Sequence, residues 1–137
     1  TPSKDEDFKW RDLPNYCPVA NDAHLSTLTA QWSLGGPLDI RDQVDVKELH
    51  TREYEICRTL RLKPVQYLAT KRRFFAAKVQ FSREGRTFTK TAAQKVTNID
   101  VNKSSRLWEA FNNVGWFDNQ HFDDPALVPA AGRDQEH

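Results

Sequence analysis

The side chains most able to carry chemistry in this sequence are positively charged, and they are concentrated in one part of the chain. From Arg58 to Arg106 there are thirteen basic and two acidic residues, a formal charge of +11. The rest of the 137-residue chain holds seven basic and seventeen acidic residues, so its formal charge is −10, although the whole chain carries only +1. This segregation favours a polyanionic partner for the basic part. A well-solvated helical surface is the alternative interpretation.

The candidate contacts to such a partner lie around two helical patterns near the end of the basic part. The segment KTAAQKVT follows Thr89, a suitable N-cap, although Thr91 with Gln94 offers a competing start. After a brief turn, Asp100 can cap a longer helix, VNKSSRLWEAFNNV, which ends at Gly115. A short helix, a tight turn and a longer helix form a helix-turn-helix.

The beginning of the second helix in this arrangement is the part that reaches the major groove of DNA. On that helix one face is apolar, and we predict that it packs on the core, with Trp108 buried against the central helix: Val101, Ser104, Leu107, Trp108, Phe111 and Val114. Polar side chains outside this apolar face can donate hydrogen bonds to phosphates or base edges, and so can the basic side chains of the preceding short helix. We therefore predict DNA contacts from Lys90, Lys95, Asn102, Lys103, Ser105 and Arg106, with Arg83 and Arg86 in the preceding connection. Simple hydration of an exposed turn is the alternative.

Residues of catalytic or metal-binding type form no recognisable pattern. The sequence contains no HExxH, GxSxG or GxGxxG motif, and its histidines are scattered at 24, 50, 121 and 137. Cys17 and Cys57 form no CxxC pair and have no histidine at metal-ligand spacing. We predict no catalytic site, no metal and no cofactor. One long-range disulfide is possible, but without a visible export signal we expect two reduced thiols.

The helices that must position these residues are predicted from capping signals and apolar periodicity. Asp45 and Glu48 have the spacing of a capping box, before a helix from about Val46 to Thr59. The longest helix starts at Pro64 and continues without Gly or Pro up to Gly85.

Two apolar stripes lie on this longest helix, and a helix of this kind packs neighbours on two sides and is central to a fold. The stripes are Val65, Leu68, Phe75 and Val79, and Tyr67, Phe74 and Phe81. We expect Lys71 and Lys78 to lay their stems between the stripes and to present their ammonium groups outside. Of the consecutive residues Lys71, Arg72 and Arg73, at most two can face one ligand, because helix positions are separated by 100°.

The order of these segments predicts one all-α domain with flanking regions. We expect residues 1–7 to be a disordered N-terminus, 8–44 to be an extension packed on the domain, 45–118 to be the helical domain and 119–137 to be a mostly disordered tail. Within the extension, the aromatic segment FKWRDLPNYCP should tuck onto the core, and His24 to Trp32 has the pattern of a short helix. No apolar run of about eighteen residues is present, so we expect no membrane partner.

Several motifs together resemble the SWIRM domain. They are the LRLxPxxYL pattern within RTLRLKPVQYLATKRRFF, the NIDVNK turn before the last helix and the closing VGWF. The resemblance covers about Asp45 to Asp118. The segments DLPNYCP and LDI resemble the N-terminal extension of fungal SWIRM proteins, which takes the resemblance to about Phe8.

This resemblance implies a small, winged-helix-related, all-helical module with a long central helix and a C-terminal helix-turn-helix half. It also implies a nuclear, chromatin-associated domain that takes part in transcription regulation, and we expect the isolated domain to be a monomer. Some members bind double-stranded DNA or nucleosomes, and others dock subunits of chromatin-modifying complexes without binding DNA. Carried over by position, the DNA-facing role falls on Lys103 and Arg106, with Lys90 and Lys95 nearby. Ser104 and Ser105 stand where a more basic pair can occur.

Overall fold

In a computed structural model of the chain, residues 4–17, 27–32 and 35–118 are described, and they contain helices and no strand. Four α-helices follow one another: α1 (Thr51–Leu60), α2 (Pro64–Arg83), α3 (Lys90–Lys95) and α4 (Val101–Asn113). Two 3-10 segments, Lys4–Asp12 and Val46–Glu48, precede α1. The predicted all-helical fold with a long central helix is confirmed.

Helix α2 begins and packs as its sequence predicts. Pro64 occupies the first turn, where its missing N–H is not needed, and the Gln66 side chain accepts a hydrogen bond from the Lys63 N–H at 2.9 Å. Both apolar stripes are buried or partly buried, so α2 is surrounded on two sides.

An aromatic core joins α4 to α2 and to the segment after α4. The Phe111 ring lies 6.2 Å from the ring of Phe74 and 5.6 Å from the ring of Phe75. Gly115, with φ +82°, reverses the chain so that the Trp116 N–H bonds the Phe111 carbonyl and the Trp116 ring is fully buried. The VGWF motif therefore closes the core.

Two residues of the predicted apolar face of α4 lie elsewhere. Val101 is 53% exposed, because it stands in the first turn, beyond the reach of the aromatic core. Trp108 is only partly buried, not buried as predicted, and its ring stacks on Phe117 at 5.8 Å at the edge of the core.

Helix α1 begins later than predicted, because Asp45 is used by a distant segment. The Asp45 carboxylate accepts hydrogen bonds from Trp10 Nε1 at 2.8 Å and from Arg11, and makes no cap bond. The capping box is formed instead by His50, whose Nδ1 accepts from the Arg52 N–H, and by Glu53, which accepts from the His50 N–H. A single 3-10 turn replaces the first part of the predicted helix.

The N-terminal arm, residues 4–17, is anchored by a buried ion pair. Asp7 is 1% exposed, and its carboxylate lies 2.7 Å from Nη1 of Arg73, which is also buried. The Asn98 side-chain amide donates to both oxygens of the same carboxylate at 3.2 Å. The predicted disordered N-terminus of residues 1–7 is therefore wrong from Lys4 onward, because Asp7 ties the arm to α2 and to the turn before α4.

Three consecutive cations of α2, Lys71, Arg72 and Arg73, hold this arrangement, and we call them the α2 cation cluster. Lys71 Nζ lies 2.8 Å from the Glu53 carboxylate of α1, and Arg72 donates to the carbonyls of residues 10, 11 and 13 in the arm. Arg73 pairs with Asp7. The expectation that Lys71 and Lys78 present their ammonium groups outside is wrong, since Lys71 is paired with Glu53 and Lys78 is 6% exposed.

The rest of the extension packs against the same core without the predicted helix. Leu28 and Ile40 are buried in it, and the Trp10 ring is 5% exposed. Residues 27–32 are not helical, and the remaining positions of the predicted helix from His24, at 24–26, lie outside the described residues. The predicted tail, 119–137, also lies outside them.

The buried pair of Asp7 and Arg73 gives a first prediction. Asp7→Asn removes one charge and leaves the Arg73 guanidinium buried without its counter-ion, so the free energy of unfolding should fall by about 3 kcal/mol. Urea melts measure this loss. Asp12→Asn, in the same arm but exposed, is the control and should change stability by less than about 0.5 kcal/mol. Equal losses for the two variants would contradict the anchoring role of Asp7.

Glu53 gives a second prediction, because its environment makes stability depend on pH. Burial raises the pKa of Glu53, but the ion pair with Lys71 and hydrogen bonds from Tyr67 and the His50 N–H outweigh it, so the pKa lies below the ordinary 4.5. The resulting stabilisation is complete at pH values above the ordinary pKa of 4.5. It is lost as the pH falls through the lower pKa that Glu53 has in the folded state. Urea melts should therefore show wild type more stable than Glu53→Gln at neutral pH, with the difference shrinking in acid. A difference that is constant with pH would contradict this.

Candidate nucleic-acid interface

The two helices of the predicted helix-turn-helix are fixed by their own caps. Thr89 Oγ1 accepts a hydrogen bond from the Ala92 N–H at 3.2 Å, which confirms Thr89 rather than Thr91 as the start of α3. The Asp100 carboxylate accepts from the N–H groups of Asn102 and Lys103, as predicted. Both helix starts are therefore set by local sequence.

Contacts between α3 and α4 set the position of the start of α4. Gln94 donates through Nε2 to Ser105 Oγ at 2.7 Å, and Ser105 Oγ also bonds the Val101 carbonyl. Ala93 of α3 and Leu107 of α4 are fully buried. The polar residues at the start of α4 are thereby carried on a packed pair of helices.

An open groove of about 710 Å³ lies beside this helix pair. It gathers four of the eight predicted DNA-contacting residues, from α3 and α4, and adds residues of the extension and one acidic residue. The lining consists of Gln31, Trp32, Lys90, Asn102, Ser105, Arg106 and Glu109. The groove therefore combines two cations, three neutral polar side chains, an aromatic ring and a carboxylate.

The carboxylate of Glu109 contacts both cations of the groove. Lys90 Nζ lies 3.6 Å from Oε2, and Arg106 Nη1 lies 3.3 Å from Oε1. All three side chains remain open to solvent, with 43%, 53% and 36% exposure for Lys90, Arg106 and Glu109. Lys90 also lies 5.9 Å from the centre of the Trp108 ring. The groove thus carries a net charge of +1 rather than +2.

Lys103 borders the groove but is directed to the extension. Its Nζ lies 3.3 Å from the Arg61 carbonyl oxygen and 5.9 Å from the centre of the Trp32 ring. Arg61 in turn donates to the Gly36 carbonyl. Lys103 therefore links α4 to the Arg61 carbonyl and to the Trp32 ring, while Val101 and Asn102 are exposed on the first turn of α4.

The other three predicted contacts do not line the groove. Arg83 donates to the Gln80 side chain at 3.1 Å, and Arg86 pairs with Glu84 at 2.8 Å while lying over the Phe81 ring. Lys95 is exposed at the end of α3. The structure brings Lys90, Asn102, Ser105 and Arg106 together and leaves these three on the surrounding surface.

Three groove residues were missed by the sequence analysis: Gln31, Trp32 and Glu109. Glu109 follows Arg106 by three residues on a predicted helix, so its pairing with that arginine could have been inferred from spacing. Gln31 and Trp32 are brought to α4 by the fold of the extension, and no local signal points to this.

The basic part of the chain is therefore not one continuous surface. Lys71, Arg72, Arg73 and Lys78 are buried or partly buried, and the first three hold the arm and α1. The exposed cations lie mainly in and after the last turn of α2. The four buried or partly buried cations, out of thirteen basic residues, are therefore not part of an exposed basic surface.

Side chains of metal-ligating type form no cluster in the part of the chain that the structure describes. No group of three or more His, Cys, Asp or Glu side chains there could hold a metal ion. Both cysteines are free thiols. Burial raises the pKa of Cys17 to about 11, against the opposing effect of Lys71 and Arg72, and burial also raises the pKa of Cys57. Among the described helices, none has the length and apolar character needed to span a membrane.

Comparison with known proteins decides the family. The SWIRM domain model matches residues 39–119. The chain belongs to the SWIRM domain family. This match includes all four α-helices and the groove, apart from Gln31 and Trp32. The SWIRM domain is a non-catalytic, chromatin-associated module.

The chain is similar to several fungal proteins. SWIRM domain-containing protein YOR338W of Saccharomyces cerevisiae is 39% identical over 119 residues, which cover 85% of this chain and 32% of the relative. SWIRM domain-containing protein laf1 of Schizosaccharomyces pombe is 40% identical over 111 residues, which cover 78% of this chain and 37% of the relative. Transcriptional adapter 2 of Candida albicans is 36% identical over 80 residues, which cover 58% of this chain and 17% of the relative. The chain thus spans about a third or less of these proteins, and no solved structure gives a significant match.

Proposed function

We propose that this SWIRM domain binds double-stranded DNA or nucleosomes in the nucleus, with little sequence preference, through the groove beside α3 and α4. The observation that carries the proposal is the placement of Lys90, Asn102, Ser105 and Arg106 around one groove, next to the exposed first turn of the second helix of a helix-turn-helix. This is the part of such a motif that approaches a DNA groove.

Phosphate contacts supply most of the affinity in this proposal. The Lys90 ammonium and the Arg106 guanidinium are charged donors for phosphate oxygens, and the Asn102 amide is a neutral donor beside them. The Ser105 hydroxyl lines the same groove but donates its proton to the Val101 carbonyl. With two cations in the groove, the dissociation constant should lie in the range of non-specific binding, on the order of 10⁻⁴ to 10⁻⁶ M, and rise with salt. With the two cations engaged by phosphates, the Asn102 amide is the main group left to read a base edge, which gives little discrimination.

The remaining predicted residues have a supporting role in this proposal. Lys95, Arg83 and Arg86 are exposed around the helix pair and add long-range positive potential. Lys103 keeps its charge while its ammonium bonds a neutral carbonyl. We expect these four side chains to affect the rate of association more than the position of the DNA.

Charge-removing variants test the DNA-binding role. Lys90→Gln/Arg106→Gln should weaken duplex binding and lower the slope of log affinity against log salt by about 2, one for each lost phosphate contact. Fluorescence anisotropy with a labelled duplex at about 50 and about 200 mM salt measures both quantities. The matched control is Lys47→Gln/Arg52→Gln, which removes the same charge from exposed positions outside the groove. Equal losses for the two pairs, with helicity retained by circular dichroism, would show that the groove is not the binding site.

Protein docking within a chromatin-modifying complex is the second candidate function. It is favoured by the exposure of the Phe8 ring, which is 58% exposed on the arm, and by the similarity to Transcriptional adapter 2. The rest of the aromatic segment does not offer a free surface, because Trp10 is buried and Tyr16 is partly buried. Stable capture of one subunit by the full-length protein, without any DNA shift, would favour docking over DNA binding.

A further inference from the structure

We propose that Glu109 is an internal competitor for DNA phosphate, which keeps the affinity of the groove low. This inference rests on the proposed DNA-binding function. In the free domain, the two carboxylate oxygens of Glu109 are used separately: Oε1 by Arg106 at 3.3 Å and Oε2 by Lys90 at 3.6 Å. The carboxylate therefore occupies the position between the two cations that a phosphate would take.

The two cations reach Glu109 from different helices. Arg106 lies three residues before Glu109 on α4, and Lys90 is the first residue of α3. A phosphate that bridges α3 and α4 must therefore replace both contacts at once. Asn102 and Ser105, which line the same groove, are neutral and do not provide an additional cation.

The displaced carboxylate cannot leave the site, because Glu109 is part of α4. It stays within a side chain's length of the bound phosphate and repels it, whatever the DNA sequence. The groove then neutralises phosphate with a net charge of one rather than two. Both the affinity and its dependence on salt are reduced by Glu109 in this account.

The effect of Glu109 is limited in size, because its ion pairs are open to solvent. Each ion pair of Glu109 is exposed and contributes little to stability, so breaking both on DNA binding lowers the affinity by about tenfold at most. Glu109 thus limits how long the groove stays on DNA without greatly changing the stability of the free domain.

A pair of isosteric variants tests the role of Glu109. Glu109→Gln removes the negative charge from the groove. Glu55→Gln is the matched control, because Glu55 pairs with Arg58 at the same three-residue spacing and the same 3.3 Å, but on α1. Both variants change the net charge of the domain by the same amount. Each is measured by anisotropy with a labelled duplex at several salt concentrations.

Glu109→Gln should bind duplex DNA about two- to tenfold more tightly than wild type at low salt, and its salt slope should be steeper by about 1. Glu55→Gln should differ little from wild type. In the Lys90→Gln/Arg106→Gln background, Glu109→Gln should give no gain, because the cations that it releases are absent.

Three other results would overturn this role. If wild type binds DNA but Glu109→Gln binds it no more tightly than Glu55→Gln, then Glu109 does not compete with phosphate. The proposed DNA-binding function is unaffected by that result. An equal gain without Lys90 and Arg106 would show a general charge effect. If neither wild type nor Glu109→Gln binds DNA, the proposed function fails together with the inference.

Discussion

The structure depends on the contacts of the α2 cation cluster, in the middle of α2. Successive helix positions point about 100° apart, so Lys71, Arg72 and Arg73 reach three different partners from one turn. Lys71 pairs with Glu53 of α1, Arg72 donates to backbone carbonyls of the N-terminal arm and Arg73 pairs with the buried Asp7. Asn98 extends this network to the turn that precedes α4. One short segment of α2 therefore joins the arm and α1 to the core, and through Asn98 fixes the turn from which the candidate interface begins.

This use of charge changes the meaning of the basic segment. A formal charge of +11 between Arg58 and Arg106 suggests a strongly basic surface. The α2 cation cluster, however, forms ion pairs and hydrogen bonds within the domain. The groove beside α3 and α4 keeps two cations, and Glu109 contacts both. The surface that the proposed function would use for DNA therefore carries a net charge of only +1.

The sequence predicts what is locally determined and fails where distant segments meet. Helices α2, α3 and α4 are predicted with their caps, because Pro64, Thr89, Asp100 and Gly115 act on neighbouring backbone groups. The predicted start of α1 is wrong because the Asp45 side chain accepts a hydrogen bond from Trp10, 35 positions away in the chain. The partners of Lys71 to Arg73 and the arrival of Trp32 at the groove depend in the same way on long-range packing. Half of the predicted DNA-contacting residues line the groove, because the helix-turn-helix pattern fixes α3 and α4 but not the side chains around them.

The most direct test of this division between internal and surface cations is amide chemical-shift mapping of the labelled domain as a short DNA duplex is added. We predict shifts at Lys90, Asn102, Ser105 and Arg106 that saturate together, with the amides of Lys71, Arg72 and Arg73 unchanged. Shifts centred on those three residues of α2, with none around the groove, would contradict this prediction.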